Sequence, residues 1–315
     1  MRWTDRIGRR LNPRDLHVFM AVFEQGNMAK AAEGLAISRP VVSKTITELE
    51  HTLGVPLFDR TPQGVEPTTY AHALRKRSVA MFDELSQGVK EIEFLADPTT
   101  GELRVGCTET VTAGLVSAVI DRLSQRHPHL LFRLELADVD TLQSYFLRER
   151  KCEVVVSRML ASIPEPDMNT EPLFHEQSFV VARPPSKWLR HRKIALAELA
   201  NEPWILSPLE VVPGAPPFEA FRAIGLALPR ARVLSNSHSL RNSLLATGRF
   251  LTVVPGSILR FGPGRSLFKV LPVELPRPPL PVTITTLKNR TLSPMAQLFI
   301  DCVRELAKPL ARRPR

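Results

Sequence analysis

The chain has 315 residues, 43% of them hydrophobic, and carries 42 Lys and Arg against 32 Asp and Glu for a formal net charge of +10. This is the composition of a soluble globular protein long enough for two or three units with real cores. No apolar run approaches the ~18 residues of a membrane span, and MRWTDRIGRR lacks the apolar core of a signal peptide, so no membrane contact and a cytoplasmic location are expected.

Positive charge invites a nucleic-acid partner, but its distribution matters. Residues 1–97 hold 13 basic and 13 acidic side chains, and the whole excess, 29 minus 19, falls in 98–315. DNA binding by the first region must therefore rest on placed residues: Arg2, Arg6, Arg9, Arg10 and Arg14 ahead of the first helix, then those of the next segment. The downstream excess suits solubility, weak DNA contact by Arg312, Arg313 and Arg315, or acidic ligands.

Met28 to Leu57, MAKAAEGLAISRPVVSKTITELEHTLGVPL, spells a short helix, a tight turn and a longer helix. Asn27 is placed to cap a helix running from Met28 to about Leu35, and its alanines allow close packing. Ala36 and Ile37 make the turn, Ser38 is placed to cap the next helix, and Pro40 is tolerated in its first turn. Val42, Ile46, Leu49 and Leu53 form one buried stripe, and Gly54 stops the helix. The opposite face carries Arg39, Ser43, Lys44 and Thr47, donors suited to base edges and phosphates in a major groove. Any two amphipathic helices joined by a turn share this periodicity. Phe58 to Val65 then suits a hairpin, with a Gln63-Gly64 turn and Gly64 at positive φ. Arg60 on it is placed for the phosphate backbone or for a salt bridge to Asp59 or Glu66.

The run Leu16 to Thr68 resembles the N-terminal domain of the LysR-type transcriptional regulators. The residues that carry the resemblance are AKAAEGL, the S-x-P-x-V-S helix start, L-E-x-x-L-G and the P-L-F-D-R-T wing. The resemblance implies a winged helix-turn-helix over 11–68, with DNA contacts from Met28, Ala29, Lys30, Ser38, Arg39, Pro40, Val42, Ser43, Lys44, Thr47 and Arg60. Two departures are present. Arg39 stands where the family usually has glutamine, and arginine pairs with guanine where glutamine pairs with adenine; Thr68-Thr69-Tyr70-Ala71 lacks the family's glycine after the wing.

From Thr69 to Asp97 no proline and only Gly88 interrupts, while Leu74, Met81, Leu85, Ile92 and Leu95 recur as an a/d seam on a helix of roughly 40 Å. Such a linker suggests dimerisation; packing on its own domain would use the same stripe. Asp97-Pro98-Thr99-Thr100-Gly101 ends it.

Beyond lie expected strands at Glu102–Gly106, Leu131–Leu136, Val154–Val156, Phe179–Ala182, Trp204–Leu206, Arg232–Leu234, Leu251–Val254 and Val282–Thr286. Expected helices run to Gln125, from Leu142 to Arg150 and from Met295 to Leu306. The alternation argues a parallel sheet covered on both faces. GELRVG at 101–106, RHP at 126–128, PWIL at 203–206 and VVPG at 253–256 are similar to the effector-binding domain of the same family. The fold class is thus α/β with an N-terminal all-α winged helix-turn-helix, a linker helix over 69–97 and a two-subdomain, Rossmann-like effector domain of the type 2 periplasmic-binding-protein kind over 101–310. Subdomain I takes 101–161 and 268–310, subdomain II 162–267.

In open α/β sheets the ligand crevice lies beyond the carboxyl ends of strands. That selects Thr108, Glu109 and Thr110 after the first strand, Arg158 past the third, Ser207 after Trp204–Leu206, and Ser237 and His238 after Arg232–Leu234, as binders of an organic acid or a sugar-like effector. Thr108 and Ser237 equally suit plain helix caps, and His238 a capped or surface histidine. Cys107, Cys152 and Cys302 are dispersed without metal spacing, which points to inert thiols in a reducing compartment; a redox role for Cys107 lacks a resolving partner. No cofactor or metal is expected.

The expectation is a DNA-binding regulator acting on promoter DNA as a homodimer or homotetramer, with RNA polymerase as a further partner and an effector that alters DNA bending. An enzyme is the second reading, but P-loop, G-x-G-x-x-G, HExxH and G-x-S-x-G are all missing. A transporter's solute-binding protein fits the second half by fold, and the attached DNA reader argues against it.

Overall fold

The computed structural model describes residues 11–159, 165–262, 268–276 and 280–311. Arg2, Arg6, Arg9, Arg10, Arg312, Arg313 and Arg315 lie outside them. The chain divides into two compact units, Met1–Ser86 and Gln87–Arg315.

The first unit opens with α1 (Pro13–Gln25), a helix absent from the expectations above; Arg14 lies within it, not ahead of a first helix. Asn12 caps it by accepting the Asp15 N–H at 2.9 Å, and Gly26 at φ +58° ends it. Asn27 then caps α2 (Met28–Gly34), accepting from the Ala29 and Lys30 amides at 2.8 and 3.2 Å. Ala36 at φ +53° makes the turn, where the Ile37 N–H bonds back to the Ala32 carbonyl at 3.0 Å. In α3 (Arg39–Leu53) the Ser38 hydroxyl makes no capping hydrogen bond, contrary to expectation. Pro40 lacks one of the N–H groups a cap would satisfy, and the Val41 and Val42 amides bond to the Ser38 carbonyl. Val42, Ile46 and Leu49 are buried with Phe19 and Val22 of α1 and Ala31 and Ala32 of α2, and Gly54 at φ +74° closes the helix.

The wing is a hairpin of β1 (Phe58–Thr61) and β2 (Gly64–Pro67), registered Thr61↔Gly64, so its loop is Pro62-Gln63 and Gly64 opens the second strand. Gly64 has φ +148°, and a Cβ there would collide with the Gly26 carbonyl oxygen. That same oxygen accepts the Val65 N–H at 2.9 Å, clipping the wing to the end of α1. On the other side the Glu50 carboxylate of α3 accepts from the Leu57 and Phe58 amides at 2.7 and 3.2 Å. The wing is therefore held by one backbone clip and one side-chain clip, and Arg60 is exposed on it.

The helix α4 (Thr69–Ala96) has 28 residues. Its expected seam splits in two. Leu74 packs on the first unit's core and Met81 is half-buried, whereas Leu85, Ile92 and Leu95 are 55%, 69% and 75% exposed. Val89, 54% exposed, joins them at helical spacing.

The second unit contains β3 (Thr100–Cys107), a helical stretch with a π-type turn at Thr112–Val116 that continues as α5 (Ser117–Arg126), β4 (His129–Leu136) and β5 (Val154–Arg158). Then come β6 (Met168–Glu176), β7 (Ser178–Ala182), β8 (Ile205–Leu206), α6 (Pro216–Ala223), β9 (Val233–Leu234) and α7 (His238–Leu245). The chain ends with β10 (Thr252–Pro255), α8 (Gly256–Phe261), β11 (Lys269–Val270), β12 (Leu280–Leu287) and α9 (Pro294–Ala311). The expected Leu142–Arg150 helix is observed as a single turn, Val139–Thr141, and a π-type segment, Leu142–Leu147.

The main sheet runs β4-β3-β5-β12-β6. Its first three strands are parallel, but β12 is antiparallel to both β5 and β6, so the expected parallel sheet is a mixed one. The reversal follows from the chain path: β6 leaves this sheet and β12 returns to it after the second core is built. β6 was not expected, because Pro172 and its many polar residues weaken the strand signal. It lies at the sheet edge and pairs with β12 across a register shift beside Pro172, where proline's missing N–H is tolerated. Apolar α5 and α9 side chains cover this sheet, with Val119, Leu123, Phe299 and Val303 among those buried. A second core gathers Val180, Trp204, Leu206, Phe221 and Val253 around β10-β7-β11 and the β8-β9 pair.

Candidate functional site

Two sites emerge, one in each unit. On α3 the stripe that holds the core and the face open to solvent are cleanly separated. Arg39, Pro40, Lys44 and Thr47 are exposed and Ser43 is half-buried, as are Ala29 and Lys30 of α2 exposed and Met28 half-buried against the core. Val42, expected among the DNA contacts, is fully buried: it fills the interior between the three helices and reaches no groove. Val41, missed in the sequence, is 43% exposed; a branched apolar group of this kind suits contact with a thymine methyl. Thr47 Oγ1 donates to the Ser43 carbonyl at 3.0 Å. Lys44 meets Glu48 at 3.7 Å with both side chains more than 60% exposed, a contact weak enough to yield to a phosphate. Arg60 is exposed and forms no ion pair with Asp59 or Glu66 among the described residues.

The second site lies at the carboxyl ends of β3, β5, β8 and β9. Thr108 is buried; its hydroxyl lies 3.3 Å from Thr110 Oγ1 and accepts the Arg158 amide at 3.4 Å, and makes no helix cap. Arg158 is the last residue of β5, not one beyond it. Ser237 does cap, accepting from the Leu240 amide at 3.3 Å, so its hydroxyl is already engaged. Buried Ser207 gives its amide to the Glu210 carboxylate at 2.7 Å. His238 is half-buried and meets the Glu109 backbone, which brings the first helical turn after β3 against the start of α7. Burial pushes the His238 imidazole below its usual value, and Glu109 opposes that.

Four charged or polar side chains of this site escaped the sequence reading. Glu210 and Arg241, each under 8% exposed at the side chain, form an ion pair at 2.6 Å. Arg241 Nε also donates to the Ser235 carbonyl at 3.2 Å. Glu176, at the end of β6, accepts from the Ser257 hydroxyl at 2.5 Å and the Ser257 amide at 3.0 Å; burial pushes its carboxyl up. Burial pushes the Arg158 guanidinium down, while Glu210 and Glu176 pull it back. Ser207-Pro208-Leu209-Glu210 is a capping-box spacing, the one local signal that could have found Glu210. Glu176, Arg241 and Ser257 had none, because their partners are remote in sequence.

The three thiols are buried, and burial pushes Cys107 and Cys302 up and Cys152 to about 12. Such thiols have little thiolate character. Among the described residues no group of three His, Cys, Asp or Glu is placed to hold a metal, and no helix is long and apolar enough to cross a membrane.

Comparison with known proteins matches a family model to each unit. Residues 13–72 match the bacterial regulatory helix-turn-helix protein, LysR family, and residues 96–308 match the LysR substrate binding domain. The HTH-type transcriptional regulator GbpR of Azospirillum brasilense is 28% identical over 306 residues, covering 96% of this chain and 89% of that protein. The fold is similar to that of ArgP from Mycobacterium tuberculosis, with TM-score 0.67, 21% identity and coverage of 96% and 100%. It is also similar to full-length CbnR complexed with its target DNA, with TM-score 0.52, 22% identity and coverage of 94% and 100%. These relatives are regulators, not enzymes. An exposed donor face on a helix-turn-helix, joined to a substrate-binding domain that the family's own description matches over most of its length, places the chain in the LysR family of DNA-binding transcriptional regulators.

Proposed function

We propose that the chain acts in the cytoplasm as a homodimer or homotetramer that reads an interrupted inverted repeat in promoter DNA. Each α3 lies in a major groove, with Arg39, Ser43, Lys44 and Thr47 toward DNA, Ala29 and Lys30 of α2 and Ser38 and Pro40 of the turn close to the backbone, and Arg60 of the wing on a phosphate. The observation that carries this reading is the division of α3 into a buried Val42-Ile46-Leu49 stripe and an exposed donor face without strong internal partners. One short helix contacts too few base pairs to select a promoter, so two copies are required. The exposed Leu85, Val89, Ile92 and Leu95 face of α4 is the surface that would pair them. CbnR's complex with its target DNA supports the DNA-bound geometry by likeness of fold.

A small organic acid or sugar-like effector occupies the cleft of Thr108, Glu109, Thr110, Arg158, Ser207, Ser237 and His238 and alters DNA bending, with RNA polymerase as a downstream partner. It acts only through unequal affinity for the two quaternary states. Gel retardation with promoter DNA, with competitor DNA at moderate salt, tests the reading: a sequence-specific complex whose affinity falls steeply with salt is expected. Equal retardation of unrelated DNA would refute it.

A further inference from the structure

The positive charge of this chain is concentrated in one stretch. Residues 183–277 carry 14 Lys and Arg against 5 Asp and Glu, an excess of nine in a chain whose whole excess is ten. Four of those acids are engaged within the fold: Glu198 accepts the Ala195 amide, Glu202 meets Lys187, Glu210 meets Arg241 and Glu219 meets Arg222. Elsewhere in the second unit Arg104, Arg122, Arg133, Arg148 and Arg304 each lie against a carboxylate. Arg190, Arg192, Lys193 and Arg249 differ from these: all four are exposed, and none has an ion pair or a side-chain hydrogen bond among the described residues.

The fold gathers these cations on one surface. Lys187–Arg190 form a single 3₁₀ turn, Arg192 and Lys193 follow it, and the Ile194 amide then fixes the loop by bonding to the Pro272 carbonyl at 3.1 Å. Gly248 abuts the start of the same loop so closely that a Cβ there would collide with the Pro185 ring, which holds Arg249 beside it. Lys187 and Arg249 accordingly line one cavity of about 320 Å³. Every Leu, Ile, Val, Phe and Trp in 183–203 and 247–251 is buried or half-buried, so the surface between the cations is polar.

A surface that docks a protein keeps an apolar centre inside its polar rim. Exposed, unpaired arginines and lysines without such a centre are the footprint of a polyanion, and the guanidinium fork fits phosphate oxygens. The DNA reader supplies no bulk charge of its own, since residues 1–97 hold 13 basic and 13 acidic side chains. Resting on the promoter-binding reading above, we infer that Arg190, Arg192, Lys193 and Arg249 form a second DNA contact, independent of sequence, that holds the phosphate backbone of duplex flanking the sites read by α3. Once α3 is bound, the flank is tethered to the same molecule at high effective concentration, so contacts that are weak one by one suffice.

The test uses the full chain and two duplexes carrying the site recovered by binding-site selection, one ending at the site and one extended by about 20 base pairs, two helical turns, at each end. Fluorescence anisotropy gives Kd between about 0.05 and 0.2 M salt. The wild-type chain should bind the long duplex at least about tenfold more tightly than the short one at the lowest salt, and lose affinity for it more steeply as salt rises. The triple variant Arg190→Gln, Arg192→Gln, Lys193→Gln changes only exposed positions, so its melting temperature should be unchanged. It should lose most of the gain on the long duplex and lower the salt slope there by about 0.9 for each phosphate contact removed. Arg249→Gln should lose part of the gain. The control triple Arg126→Gln, Lys288→Gln, Lys308→Gln removes the same charge from other exposed positions and should keep it. Equal wild-type affinity for both duplexes, a loop variant that keeps the gain, or a control that loses as much overturns the inference. Promoter reading survives each of these results so long as a scrambled short duplex binds more weakly than the selected one. If the wild-type chain does not distinguish those two short duplexes, promoter reading fails and this inference falls with it.

Discussion

Arg241→Met is the most informative stability perturbation, because it separates a buried ion pair from the many exposed ones. The Arg241 and Glu210 side chains are 7% and 5% exposed and meet at 2.6 Å. Methionine fills much of the same volume, so the loss is mainly of charge and of the hydrogen bond from Nε to the Ser235 carbonyl. Removing one partner of a buried pair leaves the other desolvated and uncompensated, typically costing about 3–5 kcal/mol. Here the stranded Glu210 keeps the Ser207 amide at 2.7 Å and the attraction of Arg158, so the lower end, about 3 kcal/mol, is expected. Urea unfolding of the full chain, followed by tryptophan fluorescence, reads the change, since Trp204 lies in the core next to the β8–Ser207 segment. The double variant Arg241→Met with Glu210→Gln should lose less than the sum of the single ones, because no unpaired charge remains. Salt from 0.05 to 0.5 M, roughly tripling the screening, should leave the difference nearly unchanged for a buried pair. A cost below about 1 kcal/mol, or full additivity in the double variant, would refute the claim that this pair is buried and coupled.

Three further expectations concern DNA reading and assembly. Arg39→Gln should shift binding-site selection at one base of each half-site from guanine toward adenine, costing about 1–3 kcal/mol on the original site, whereas Lys44→Ala should weaken all sequences alike and lower the salt slope by about one. An unchanged selected motif would make Arg39 a phosphate contact. Ile92→Glu, placed in the 69%-exposed position of the α4 face, should dissociate the assembly toward monomers in sedimentation while leaving the melting of each unit nearly unchanged. Gly64→Ala meets both a φ of +148° and the Gly26 carbonyl, so a loss of about 1–3 kcal/mol and weakened DNA retardation through a displaced wing are expected. Unaltered affinity would show that the clip to α1 does not position Arg60.

Local chemistry explains which parts of this protein are legible along the chain. Asn27, Gly54 and the Val42-Ile46-Leu49 spacing specify α2 and α3 because capping, positive φ and helical periodicity act within a few residues. The same locality explains the errors. Val42 belonged at once to the buried stripe and to the contacts implied by resemblance, and only packing against α1 and α2 decides between them. Ser38 had the right residue type for a side-chain cap, yet the backbone of the turn takes that role. Edge strand β6 is hidden by Pro172 and its polar composition, since edge pairing tolerates what a central strand would not.

The effector site divides in the same way. Thr108, Glu109, Thr110, Arg158, Ser207, Ser237 and His238 were accessible because strand ends and loop hydroxyls are sequence features. The Ser237 cap is itself local, made to Leu240 three residues on, but that Arg241 neutralises Glu210 and that Ser257 saturates Glu176 depends on residues 31 and 81 positions apart. By itself the order of residues determined the helix-turn-helix, the long linker helix and the alternation of strands and helices, all products of short-range periodicity. Tertiary structure alone decided the direction of β12, the exposure of the α4 face and which cleft charges are paired, because each depends on desolvation and pairing between segments the chain brings together only on folding.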